Sequence, residues 1–172
     1  MKQVIIIPFQ RLLKRFKFFY LQLKKKKDEA ILSLHYFYGI RCMVDLKKSE
    51  ELCILGSSKG NKFAEALQHY FGYGVEINKN KAFLMFNQLN SDNKSDQEEL
   101  SYIIYFLGRC YHKSEGTSKD VDFAKELYER SSDLNNSVAK SSLGYLYANN
   151  LVTPKFLSEK NFFSKHLLIL FF

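Results

Sequence analysis

The sequence predicts an all-α fold, an α-solenoid of antiparallel helix pairs wound into a right-handed superhelix. Three observations point there. Only two Pro and eight Gly interrupt 172 residues, and Leu, Lys, Glu, Ser and Asn outweigh Val and Thr. Apolar residues fall at three- and four-residue steps in segments near the mean helix length, too short to stand alone in water. The segments also repeat: matching positions return after 33 to 42 residues, the arithmetic of stacked helix pairs.

The elements follow in order. Phe9, Leu12, Leu13, Phe16, Phe19, Tyr20 and Leu23 form one apolar stripe on a helix of residues 9–27. Arg11, Lys14, Arg15, Gln22 and Lys25 cover much of its other side. Short helices are then expected over 28–38, 47–58, 61–71 and 80–89. Residues 90–99, with Asp92, Asp96, Glu98 and Glu99, read as a polar loop and a cap for the next helix. Helices over 100–112, 120–133 and 138–148 come next, with Asp120 as an N-cap and Asn135-Asn136 as a turn. Pro154 ends the regular pattern, and 156–172 reads as a last, atypical helix. The expected organisation is a basic amphipathic cap over 1–27, a repeat array over 28–153 and a degenerate C-terminal helix over 154–172.

Composition narrows the function. With 46% hydrophobic residues, sixteen Phe and eleven Tyr, the chain is neither disordered nor collagen-like nor a loop-rich miniprotein. Cys42, Cys53 and Cys110 form no CxxC pair, which fits buried thiols in a reducing, cytoplasmic setting rather than a disulfide framework. The net charge of +8 sits at one end: residues 1–27 hold nine Lys or Arg and no acid, whereas 17 basic and 18 acidic residues follow from Asp28. The remainder therefore makes no electrostatic case for specific nucleic acid binding. The arm has two readings, a cap packing its aromatic face on the next helix or a helix lying on an anionic membrane surface. No run approaches 18 apolar residues, so no spanning helix is expected.

The repeat itself is specific. Gly74-Val75-x-x-Asn78-x-x-Lys81-Ala82-x-x-Met85-Phe86 returns 42 residues later as Gly116-x-x-x-Asp120-x-x-Phe123-Ala124-x-x-Leu127-Tyr128. A weaker copy is Asp45-x-x-Lys48-Ser49-x-x-Leu52-Cys53. Ala139, Leu143, Gly144 and Tyr147 echo Leu107, Gly108 and Tyr111, and Ala30, Leu34 and Tyr38 repeat the +4 and +8 offsets. Small residues permit close helix approach, and the aromatic four positions on fills the gap between hairpins. Asp or Asn before a helix accepts its free N–H groups. Ala64 takes the place of Ala139 in an earlier unit.

These motifs resemble the Sel1-like repeat, a subclass of tetratricopeptide-like solenoids. The resemblance is carried by Leu107-Gly108-x-x-Tyr111, the Gly116 to Tyr128 stretch, Asn135-x-x-x-Ala139, and Gly72-x-Gly74 with the residues that follow to Phe86. It covers residues 28–150, as three units and the start of a fourth. Ser57-Ser58 and Ser131-Ser132 stand where the family usually has Ala-Ala, and the first unit has only Gly39 near its turn. His69 and Tyr70 compete for the family's tyrosine place. The resemblance implies a non-catalytic adaptor or scaffold that binds other proteins, with no catalytic residue set to carry over.

Chemical motifs are absent in keeping with this. The sequence contains no GxxxxGK[ST], no GxSxG and no HExxH, and the four His are scattered at 35, 69, 112 and 166. No metal, cofactor or small-molecule substrate is expected. For a protein partner, solvent-facing residues of the first helix in each pair are the candidates: Tyr36, His69, Tyr73, Arg109, His112, Tyr145 and Asn149.

Overall fold

The computed structural model describes residues 28–92, 94–149 and 151–152. The expected basic helix over 9–27 and the expected last helix over 156–172 lie outside the described residues. Those described form seven helices and no strand: α1 (Glu29–Tyr38), α2 (Leu46–Ser58), α3 (Lys62–Phe71), α4 (Lys79–Asp92), α5 (Gln97–Lys113), α6 (Val121–Asp133) and α7 (Ser137–Ala148). Each helix packs on the next, and α1 also touches α3. The result is a stack of helix pairs α1–α2, α3–α4 and α5–α6, with α7 packed on α6.

Backbone bonds set the repeat register. The three loops inside the pairs, 39–45, 72–78 and 114–120, each hold seven residues. Each closes with the same bond: Asp45 N to Tyr36 O, Asn78 N to His69 O, and Asp120 N to Tyr111 O, at 2.9–3.0 Å. The side chains of Asp45, Asn78 and Asp120 then accept from Lys48 N, Lys81 N and Phe123 N at 2.9 Å, capping α2, α4 and α6. This settles the tyrosine place in favour of His69 over Tyr70. It also puts Tyr36, not Tyr38, in line with Tyr111.

The same loops share two left-handed positions. They are Gly39 and Arg41 in the first unit, Gly72 and Gly74 in the second, and Ser114 and Gly116 in the third. Gly39 therefore supplies the first unit's turn. At the far end of the pairs, Asn61 N bonds Gly56 O as Asn136 N bonds Ser131 O. The first unit's counterpart of Ser131-Ser132 is thus Gly56-Ser57, one residue earlier than the Ser57-Ser58 expectation. Buried Ser131 is tolerated in an alanine-like place because its hydroxyl donates to Ser101 O at 2.6 Å.

The expected loop over 90–99 is largely helical instead. Helix α4 runs to Asp92 and α5 starts at Gln97. Asp96 caps α5 by accepting from Glu99 N at 3.0 Å, and Glu98 and Glu99 occupy the first turn, where carboxylates favour the helix dipole. Helix α5 has 17 residues against 10 in α1 and 10 in α3. Its added N-terminal turns lie against α1, where His35 and Tyr102 rings pack edge-on at 6.4 Å and His35 Nε2 faces Glu98 Oε1 at 3.6 Å.

The core runs along the stack. Ala30, Ala64, Ala82, Phe86, Leu107, Gly108, Ala124, Tyr128 and Ala139 are buried. Phe86 stacks on Phe106 at 5.3 Å and meets Phe63 and Tyr70 edge-on or tilted, so aromatic rings tie the second pair to the third. Half-buried Tyr111 sits between Phe83 of α4 and Phe123 of α6, at 5.5 and 4.8 Å. Leu143 and Tyr147 are half-buried against the core. Gly144 is a correction: it is exposed, and a Cβ there would meet nothing within 4 Å. A second helix covering it, as Tyr128 covers Gly108, would have to come from beyond the described residues.

Candidate protein-binding surface

A helix facing neighbours at several depths sorts its side chains by spacing. On α5, Glu98, Tyr102, Tyr105 and Arg109 fall at steps of four, three and four, forming one stripe. That stripe faces α1. Tyr102 meets His35, and the Tyr105 and Tyr38 rings pack edge-on at 6.1 Å with their hydroxyls 3.3 Å apart. The first and third pairs thereby touch directly.

Beside the N-terminal end of this stripe lies a groove of about 780 Å³. Its walls are Ile40 and Arg41 after α1, and Leu134 to Ser137 at the α6–α7 turn. Ser101 and Tyr102 lie between them. Burial pushes the Tyr102 hydroxyl well above its usual pKa, with Glu98 adding to the effect. The stripe's other end is basic. Arg109 Nε lies 3.7 Å and Lys79 Nζ 3.5 Å from the two oxygens of the Glu115 carboxylate, which also accepts from Tyr70.

The seven candidate contact residues do not form one surface. His112 is a correction, since it is only 8% exposed and its ring is held between Tyr128 and Tyr145 at 6.2 and 5.9 Å. Tyr36 and His69 are half-buried at the repeat position that Tyr111 fills with packing. Tyr73 stacks on Phe71 at 5.2 Å with its hydroxyl 3.4 Å from Ser49 Oγ. Asn149 is exposed, but its amide donates to Tyr145 O at 2.8 Å. Arg109 and Tyr145, which is 50% exposed, flank the basic end of α5. Sequence reasoning missed the exposed Arg41 and Lys113. The three- and four-residue spacing along α5 was the available signal for Lys113.

The three thiols are poor nucleophiles. Burial pushes the Cys53 and Cys110 thiols up to about 12, and also raises Cys42, whose sulfur donates to His35 O at 3.3 Å. Thiols so shifted hold almost no thiolate at neutral pH. Among the described residues no group of His, Cys, Asp and Glu could hold a metal ion, and no helix is long and apolar enough to cross a membrane.

Stacked helix pairs with a shared loop conformation and a side-chain surface on the first helices define a helical-repeat protein of the solenoid class. The Sel1 repeat profile matches residues 29–61, 67–89 and 103–136, and the chain belongs to that family. It is similar to a Sel1 repeat protein from Oxalobacter formigenes, at 23% identity over 73% of this chain and 96% of the other, with a TM-score of 0.42. It is also similar to c5321, a protective antigen of uropathogenic Escherichia coli strains displaying an SLR fold. That match has 19% identity and a TM-score of 0.45, over 81% of this chain and 30% of the other. No curated protein matches the chain.

Proposed function

We propose that the chain is a non-catalytic adaptor that binds other proteins through the face of its first-position helices. Sel1 repeat proteins generally mediate protein–protein interactions. The observation that carries the reading here is the groove between α1, the α5 N-terminus and the α6–α7 turn. Solenoids present such surfaces because stacking pairs along one axis leaves one helix face of each pair uncovered. Exposed Arg41 lines it, and arginine is among the side chains enriched at interface anchors. A pull-down comparing the intact chain with Arg41→Ala and Leu84→Ser tests it, since Arg41 is exposed on the groove wall and Leu84 is exposed on α4 away from it. A specific partner should be lost with the first change and kept with the second. Equal recovery with both would remove the groove from the proposal.

The basic arm favours a second reading, a peripheral association with anionic membrane. Residues 1–27 carry nine Lys or Arg, no acid, and an apolar stripe from Phe9 to Leu23. Each cation near an anionic leaflet contributes about 1 kcal/mol. Co-sedimentation with phosphatidylserine vesicles should then require residues 1–27 at low salt. Equal pelleting with and without them would end this reading.

A further inference from the structure

Arg109 sits in a locally basic site within a region of opposite sign. Residues 28–152 hold 17 acidic and 14 basic side chains. Around the C-terminal end of α5 the balance inverts. Arg109, Lys113 and Lys119 all lie close enough to hold the His112 imidazole below its usual pKa, an effect led by burial. Lys79 approaches from the neighbouring pair, with Nζ 3.5 Å from the centroid of the Tyr70 ring and the Arg109 guanidinium 5.6 Å from it.

Glu115 reaches both of these cations, and it is already engaged by the Tyr70 hydroxyl. Its 3.7 Å separation from Arg109 Nε is beyond hydrogen-bond reach, so one carboxylate stands loosely between two cations. The Arg109 side chain keeps 30% of its surface exposed. On its inner side the guanidinium donates to the Tyr38 and Tyr105 hydroxyls and faces Tyr70, which leaves only its outward N–H groups for a ligand and limits the water that could screen them. One turn on, Lys113 Nζ lies 5.7 Å from the centroid of the half-exposed Tyr145 ring.

We propose that Arg109 anchors a carboxylate of a bound acidic peptide, with Lys113 beside it and Tyr145 offering an aromatic surface next to the charge. This rests on the protein-binding reading above and adds the partner's chemistry. A planar guanidinium donates two parallel N–H···O bonds to a carboxylate, which an ammonium cannot do. Aromatic walls strengthen the pairing by lowering the local dielectric.

The test is selection from a displayed random decapeptide library on the intact chain, followed by affinity measurement with fluorescein-labelled synthetic copies. Selected peptides should be enriched in Asp or Glu at one position. Replacing that acid by Gln should weaken binding about tenfold, and Arg109→Gln should weaken it by a similar factor. The two changes together should cost no more than either alone. Lys113→Gln, at an exposed site, should weaken the acidic peptide and leave the Gln copy unaffected, and it carries the test should Arg109→Gln fail to fold. Amidated copies separate a side-chain carboxylate from a C-terminal one, because amidation abolishes binding only for the latter. Selected peptides without acid enrichment, or independent and additive losses, would overturn the anchor while leaving the scaffold reading intact. Selection of no peptide at all would overturn both.

Discussion

The Tyr128 ring packs directly on the Gly108 backbone: a Cβ at residue 108 would stand 2.9 Å from both Cδ1 and Cε1. The equivalent positions in the other pairs are Ala66 with Phe86 and Ser33 with Cys53, all buried. As the residue on the second helix grows from Cys to Phe to Tyr, the one on the first changes to a smaller Ala and then Gly. This exchange of volume keeps each helix contact filled.

Gly108→Ala should therefore destabilise by about 1–3 kcal/mol, because Tyr128 is fully buried and has no free direction to move. In a Tyr128→Leu background the same change should cost much less. Urea denaturation of the four chains measures the coupling. An equal cost in both backgrounds would show that the ring is not what excludes a side chain at 108.

Two glycines with the same backbone should behave differently. Gly60 (φ +85°) has nothing within 4 Å of a Cβ position, whereas at Gly116 (φ +81°) a Cβ would stand 2.3 Å from Lys79 O. Gly60→Ala should cost about 1 kcal/mol from the left-handed conformation alone. At Gly116 the obstacle is the backbone at the start of α4, so Gly116→Ala should cost about 3 kcal/mol or more. Thermal denaturation of both variants should separate them clearly.

Ser114 shows the opposite sign. It holds φ +59° at the C-cap of α5, where the equivalent residues are Gly39 and Gly72. Its hydroxyl donates to Thr117 O at 3.0 Å in an exposed place, which is worth little against solvent. Ser114→Gly should raise stability by about 0.5 kcal/mol, the relief of strain slightly exceeding the lost bond and the freer unfolded chain. A lower denaturation midpoint would mean that the hydroxyl matters more than the strain.

Glu99 should make stability pH-dependent. Burial, with the Asp28 and Asp96 charges adding to it, raises its carboxyl pKa to about 7. The unfolded value is about 4.3. Between these pH values the folded chain keeps a proton that the unfolded chain has released, so this group's contribution to stability falls as pH rises through the window. Glu99→Gln should remove that slope and, discounted for the solvent reaching the side chain, stabilise by about 1–2 kcal/mol at pH 8. Denaturant midpoints at pH 5 and pH 8 would check it, and a wild-type midpoint unchanged between them would refute the shift.

Much of the repeat was legible because its signals are local. Asp45, Asn78 and Asp120 cap helices through their own next turn, and Ala82/Phe86 and Ala124/Tyr128 keep a fixed spacing on one helix face. The polar stretch over 90–99 was not legible in the same way. Asp96, Glu98 and Glu99 suit a loop and a helix's first turn equally well, because both expose polar groups to water. Of the candidate contact residues, exposure separated Arg109 and Tyr145 from the buried His112, and nothing in local spacing distinguishes those cases.

Composition and periodicity alone determined that this chain is all-α, that its helices come in repeating pairs, and at what spacing their small and aromatic residues recur. These are properties of period and volume, carried by residues close in sequence. Only the tertiary structure decided that α5 gains its extra turns at the N-terminus, that the first and third pairs touch through Tyr38 and Tyr105, and that His69 holds the repeat's tyrosine place. Those outcomes depend on where distant backbones lie. A helix's length and register are set by the neighbours it packs against, because short helices draw their stability from that packing rather than from themselves.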